Sequence, residues 1–262
     1  MLLCLDIGNT QIFGGVFSED KIVFQFRFST RQTSSSDEVG IFLRSVLKEN
    51  KIAPESITNI ALCSVVPDVV YSIKNGCIKY FGIDPFILQA GVKTGLKIKY
   101  LNPLEVGSDR IANAIAAINL YPNKNIIVID FGTATTFDVV SKNKEYLGGA
   151  IVPGIRISME SLESRTAKLP AIEIDIPEKA IGRTTKESIQ SGLYFGHIGI
   201  TKEIIQRINV EAFGEAKAFI IGTGGFAQMF SAAGIFNTIN PDLVLMGISL
   251  AVKMNFEKEK EK

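Results

Sequence analysis

Three short segments carry residue types that handle phosphate and hard metal ions. In Asp6-Ile7-Gly8-Asn9-Thr10-Gln11-Ile12-Phe13 an apolar run ends on a carboxylate and turns through Gly-Asn-Thr. Asp130-Phe131-Gly132-Thr133-Ala134-Thr135-Thr136-Phe137 repeats that design far down the chain. At one common offset Asp6 aligns with Asp130, Gly8 with Gly132, Phe13 with Phe137 and Val16 with Val140. Such turns present N–H and hydroxyl donors to an anion, and a strand-end carboxylate can hold a metal ion or its waters. One loop alone reads as a plain β-turn. The matched pair reads as two jaws of a phosphate clamp in a duplicated fold.

The third segment, Gly107-Ser108-Asp109-Arg110, opens an alanine-rich stretch with helical periodicity over Ser108–Leu120. An acid in the first turn of a helix can be simple dipole compensation. Alternatively, Asp109 accepts the proton of an attacking hydroxyl, and Arg110 holds a substrate carboxylate or phosphate. The helix N-terminus is expected to keep Asp109 ionised and only weakly basic. Phosphoryl transfer tolerates that, because its loose transition state asks more for positioning than for a strong base.

Other motifs weigh less. Gly222-Thr223-Gly224-Gly225-Phe226-Ala227 formally fits G-x-G-x-x-A, with Asp242 where a dinucleotide fold keeps its ribose-binding acid. The chain opens on hairpins rather than on this motif, so a Gly-rich turn against an adenosine group is the better functional fit. No G-x-x-x-x-G-K-[ST] occurs. The single histidine, His197, makes a His-based zinc site or a Ser-His-Asp triad improbable. Cys4, Cys63 and Cys77 lack metal-ligand spacing; Cys4 and Cys63 lie in apolar strand-like runs and read as inert buried thiols.

The elements that must position these segments follow from periodicity. The hairpin through Phe17 leads to a strand at Lys21–Phe28 and a helix entered through Ser34–Glu38, with Val39, Phe42, Leu43, Val46 and Leu47 on its apolar face. A buried strand over Ile57–Val66, a helix over Val69–Tyr80 and a short strand at Pro85–Leu88 complete the first half. Strands at Asn125–Asp130, Thr135–Val140 and Tyr146–Val152, a helix within Lys186–Ile208 and a strand at Ala218–Ile221 repeat it in outline. Pro241 begins a strand-to-helix finish, and the Glu-Lys tail after Phe256 reads as a solvated end. The expected fold is α/β, with two duplicated ribonuclease-H-like lobes, residues 1–120 and 121–262, and a nucleotide cleft between them.

At 262 residues, with 46% hydrophobic and 21% charged residues, the chain is long enough for two globular domains. Its 28 Lys+Arg against 27 Asp+Glu give +1, which offers no general pull toward nucleic acid or anionic membrane. No apolar run reaches the ~18–20 residues of a membrane span, and no signal peptide is evident at Met-Leu-Leu-Cys-Leu-Asp. A cytoplasmic, reduced setting is expected.

Taken together, Asp6–Thr10, Ser64-Val65-Val66-Pro67, Gly107–Arg110, Asp130–Thr136, Gly148-Gly149-Ala150-Ile151-Val152-Pro153-Gly154 and Thr223-Gly224-Gly225 resemble the type III pantothenate kinases. The motifs run in family order from Leu3 to about Val252. Single ones are shared with the wider actin, hexokinase and Hsp70-type ATPase superfamily. The resemblance implies a homodimer that transfers phosphate from ATP to the primary hydroxyl of pantothenate, giving 4′-phosphopantothenate at the first committed step of coenzyme A synthesis. It implies that Asp6, Ile7, Gly8, Asn9, Thr10, Gln11, Ile12 and Phe13 hold ATP phosphates, with Mg2+ at Asp6 directly or through water. Thr133 would touch ATP, and Asp130 would stand at a site for K+ or NH4+. Asp109 would be the proton acceptor, while Tyr100, Gly107, Ser108, Asp109, Arg110 and Thr185 would bind pantothenate. Tyr100 also reads as a packing residue and Thr185 as a helix cap. A non-catalytic regulator of the same fold and a dinucleotide-dependent oxidoreductase are the competing functions; the intact Asp6, Asp109 and Asp130 disfavour the first.

Overall fold

The computed structural model describes residues 1–166, 169–214 and 216–256. In chain order the elements are β1 (Leu2–Ile7), β2 (Gln11–Ser18), β3 (Lys21–Ser29), α1 (Ser36–Glu49), β4 (Asn59–Ser64), α2 (Pro67–Phe81), β5 (Phe86–Ile87), β6 (Lys97–Ile98) and α3 (Ser108–Leu120). There follow β7 (Ile126–Phe131), β8 (Ala134–Val140), β9 (Glu145–Pro153), α4 (Ile155–Arg165), α5 (Thr185–Ile208), β10 (Phe219–Thr223), β11 (Thr238–Ile239) and α6 (Leu243–Phe256). The Glu-Lys tail lies outside the described residues.

The chain divides into two compact units. One comprises Met1–Leu96, Leu101–Ala116 and Leu243 onward; the other comprises Lys97–Tyr100 and Ala117–Asp242. Two contiguous halves, 1–120 and 121–262, do not describe this division, because α6 packs on β1 and β4 of the first unit.

In the first unit the strand order is β3-β2-β1-β4-β5. β1, β2 and β3 pair antiparallel, while β4 and β5 continue parallel to β1. Leu3, Leu5, Ile7, Ile12, Val16 and Phe26 of the sheet pack with Val39, Leu43 and Leu47 of α1 and Val69, Ile73 and Cys77 of α2. Both helices have clear local starts. Ser35 and Glu38 form a capping box on α1, and Pro67 opens α2, which stops at left-handed Gly82. α6 covers the opposite sheet face, where Leu245 lies against Gly15. α3 and α6 touch through their backbones: a Cβ on Gly247 would fall on the Ala112 carbonyl.

The second unit's sheet has the order β11-β10-β7-β8-β9-β6. Strand for strand, β9-β8-β7-β10-β11 repeats β3-β2-β1-β4-β5 with the same antiparallel and parallel pairings. The duplication expected from the two loops is thus a property of both sheets, and β6 is an added edge strand. Ile127, Ile129, Phe131 and Phe137 pack with Ile189, Leu193 and Tyr194 of α5 and with Phe230. His197 belongs to this core: its ring lies near Phe230, and its Nδ1 bonds the Leu193 carbonyl at 2.7 Å. Here the lone histidine is a packing residue.

Two local expectations change. α4 follows Gly154 where no helix is predicted. The strand of the last segment, β11, lies before Pro241, and Leu243–Phe256 is all helix. Leu243, Val244, Leu245, Ile248, Ala251 and Val252 are all buried, and a helix buried on most sides has too little polar contrast to show its period. All three cysteines are buried, and burial pushes the Cys4 and Cys63 thiols well up and that of Cys77 to about 12. Among the described residues no helix is long and apolar enough to cross a membrane.

Candidate active site

In the first unit, β1 delivers Asp6 half-buried at its end, and the turn leaves Asn9 and Thr10 exposed. The turn is braced from two sides. Gly8 N–H donates to the Gln11 carbonyl at 3.1 Å, and the Thr30 hydroxyl donates to the Gly8 carbonyl at 2.7 Å. Thr30 N–H also donates to the Thr10 carbonyl at 3.0 Å. Cys63 stands directly opposite Asp6 on β4, and its thiol donates to Asp6 Oδ1 at 3.3 Å.

The next residue of β4 anchors α3. Ser108 Oγ accepts from Ser64 N–H and donates to the Ser64 carbonyl, both at 2.9 Å. The first turn of α3 is therefore clamped to the strand beside Asp6. Asp109 follows, and its Oδ1 accepts from the Arg110 amide at 2.7 Å. The carboxylate folds back over Gly107, where an added Cβ would come within 2.5 Å of Oδ1. Asp6 and Asp109 both act electrostatically on Cys63, pushing its thiol further up. Arg110 is 7% exposed.

The basicity of Asp109 departs from expectation. Burial raises its pKa above the ordinary aspartate value, against the opposing pull of the Arg110 amide and the Arg110 charge. Desolvation outweighs the helix N-terminus here. Asp109 is a stronger base than a surface carboxylate would be.

In the second unit, Asp130 ends β7 opposite Thr136 of β8 and Thr223 of β10. Gly132 N–H donates to the Ala134 carbonyl at 3.1 Å, and Gly154 N–H to the Thr133 carbonyl at 3.2 Å. Gly224 has φ +88°, and a Cβ there would meet Asp130 Oδ1 and the Phe131 backbone. Only glycine fits both requirements. The Gly222–Ala227 turn leads into a short 3₁₀ segment, Ala227–Ala233, rather than the α-helix that receives a pyrophosphate in a dinucleotide fold.

Tyr100 packs in the second unit beside Tyr146 and against Gly148. Thr185 is exposed in the first turn of α5 and lines a cavity of about 870 Å³ with Arg183, Thr184, Ser188 and Gly192. The capping role falls to Thr184, whose hydroxyl accepts from Glu187 N–H at 3.2 Å. The predicted residues thus gather in two sets: Asp6 to Phe13 with Ser108 and Asp109 in one unit, Asp130 with Thr133 in the other.

Among the described residues no group of three or more His, Cys, Asp or Glu could cage a metal. Single strand-end carboxylates fit a cation that keeps waters and takes substrate oxygens, as Mg2+ does on a nucleotide. Sequence reasoning missed Cys63 and Thr30. Their role depends on strand register, which a single apolar run does not reveal.

Residues 2–207 match the family model described as type III pantothenate kinase. The chain belongs to that family. It is a kinase, and its reaction is the ATP-dependent phosphorylation of pantothenate for coenzyme A synthesis. Type III pantothenate kinases of Legionella pneumophila (strain Corby) and Elusimicrobium minutum are 60% and 48% identical to it over 255 residues, covering 97% of this chain and 99% of each relative. Among solved structures, a Baf family protein of Campylobacter jejuni is similar with a TM-score of 0.62 at 20% identity, covering 98% of this chain and 99% of that one. The Clostridium difficile activator of 2-hydroxyisocaproyl-CoA dehydratase, solved with bound ADPNP, is similar at 0.51 and 14%, covering 100% and 97%. At such identities the two structures speak for the fold alone.

Proposed function

We propose that Asp109 is the proton acceptor of an in-line transfer from ATP to the pantothenate hydroxyl. The carboxylate takes the hydroxyl proton as the new oxygen–phosphorus bond forms. The bond from the γ-phosphorus to the bridging oxygen breaks at the same centre, leaving ADP and 4′-phosphopantothenate. The observation that carries this is the clamp of Ser108 on Ser64, which holds the first turn of α3, and Asp109 in it, against β4, the strand next to that of Asp6. A base so held meets the demand for positioning, and its raised pKa gives it more proton affinity than a surface acid.

In this reading Asp6, Ile7, Gly8, Asn9, Thr10, Gln11, Ile12 and Phe13 receive ATP phosphates, and Thr133 touches the nucleotide. Asp6 would hold Mg2+, which when bound neutralises phosphate charge. Asp130 would hold K+ or NH4+. Tyr100, Gly107, Ser108, Arg110 and Thr185 bind pantothenate, with the Arg110 guanidinium suited to its carboxylate. We further propose a cytoplasmic homodimer that needs neither nucleic acid nor membrane.

ADP release by the purified chain with ATP, Mg2+ and pantothenate, run with and without K+, tests the ion assignments. Full turnover without any monovalent cation would remove Asp130 from that role. Size-exclusion chromatography with light scattering reads the dimer, and a monomeric active enzyme would contradict it.

A further inference from the structure

Asp6, Phe13 and Arg27 stand opposite one another on β1, β2 and β3, in one row across the sheet. Directly paired residues on neighbouring strands project to the same face, so the three side chains share a face. Within the row the Arg27 guanidinium lies over the Phe13 ring, 3.7 Å from its centroid. Phe13 is buried and Arg27 exposed. Stacking occupies the flat face of a guanidinium and leaves the N–H fork at its rim for an anion. Among the described residues no carboxylate forms an ion pair with Arg27. Gln25 and Ser29, on the same side of β3, carry no charge.

The chemistry asks for such a group. A triphosphate carries several negative charges, and transfer of its terminal phosphoryl group builds charge on the leaving oxygen. The two loops read as a phosphate clamp, Asp6–Phe13 and Asp130–Phe137, contain no lysine or arginine. Arg110 is buried in α3 and is assigned to the other substrate.

We propose that Arg27 binds the terminal phosphates of ATP, with Phe13 holding its guanidinium flat and its N–H fork turned to the phosphate oxygens beside Asp6. The inference rests on the assignment of Asp6–Phe13 to ATP. It makes Arg27 a substrate-binding residue, and Phe13 in addition its positioning residue.

Arg27→Gln keeps a planar polar group over the ring without the charge, and Arg27→Lys keeps the charge without the fork. Steady-state kinetics of the full chain, with calorimetric binding of MgADP and of AMP, separate the alternatives. Arg27→Gln is expected to raise KM for ATP about tenfold or more and to leave KM for pantothenate and the melting temperature unchanged. Arg27→Lys should lose less, and the affinity loss should be larger for MgADP than for AMP. An arginine that merely covers Phe13 would instead lower the melting temperature and leave KM for ATP alone, which overturns the proposal. Asp6→Asn is measured alongside. If it raises KM for ATP and Arg27→Gln does not, the inference fails and the loop assignment stands. If neither variant moves KM for ATP, the loop assignment itself fails and takes the inference with it.

Discussion

Replacing Gly247 by alanine probes the contact that seats α3, the helix that carries Asp109. An added Cβ there falls on the Ala112 carbonyl, with the Ala112 carbonyl carbon and Cα close behind. Both partners are main-chain atoms of helices, so no rotamer change relieves the overlap and α3 and α6 must part. Overpacking by one carbon costs about 1–3 kcal/mol where side chains can adjust. A backbone obstacle puts this case at the upper end, and alanine's better helix propensity returns about 1 kcal/mol. The net loss is about 2 kcal/mol, which in a chain of this size lowers the melting midpoint by roughly 4–8 °C. The larger effect is expected on catalysis. Ser108 and Asp109 occupy the first turn of α3, and a 1 Å displacement of a positioned group can cost about 10²-fold in rate. Thermal melts paired with steady-state kinetics at a temperature where both proteins are fully folded read the two effects separately. A Gly247→Ala variant with the parent's midpoint and turnover would refute the close α3–α6 crossing and the dependence of Asp109 on it.

Three further outcomes follow from the site geometry. Gly224→Ala forces a side chain into φ +88° and against Asp130, and should cost about 1–3 kcal/mol while weakening activation by K+ in the ADP-release assay. Thr30→Val deletes the hydroxyl that braces the Gly8 carbonyl at 2.7 Å; it should cost about 1 kcal/mol in urea melts and raise KM for ATP more than KM for pantothenate. Burial raises the pKa of Asp109 in the folded chain, so its contribution to stability is full below the unfolded aspartate value and is lost as pH rises through the folded value. Asp109→Asn should therefore melt higher than the parent at neutral pH, an advantage that disappears under acid conditions. The acid limb of kcat/KM for the parent should likewise fall above the ordinary aspartate range.

Much of the scaffold is legible in the sequence because its signals are local. The alanine-rich stretch at Ser108–Leu120 coincides with α3 at both ends. The echo of Asp6–Val16 in Asp130–Val140 foretells two sheets of one strand order, since matched turns require matched hairpins. Elements whose existence depends on distant partners are harder to read. β6 and β11 are two residues each and are defined by their pairing with β9 and β10. α6 lies far along the chain from the sheet it covers, so only packing assigns it to the first unit. The site divides in the same way. The identities of Asp6, Asp109 and Asp130 are visible in their motifs, whereas the burial that raises Asp109 exists only in the folded chain. Cys63 and Arg27 acquire meaning only from strand register, which sets them in a row with Asp6.

The role of Asp109 is tested most directly by the turnover of Asp109→Asn with saturating ATP, Mg2+, K+ and pantothenate, measured together with its affinity for ATP. The predicted result is a loss of at least about 10²-fold in kcat with ATP binding and fold retained. Turnover near that of the parent enzyme would contradict the assignment of Asp109 as the proton acceptor.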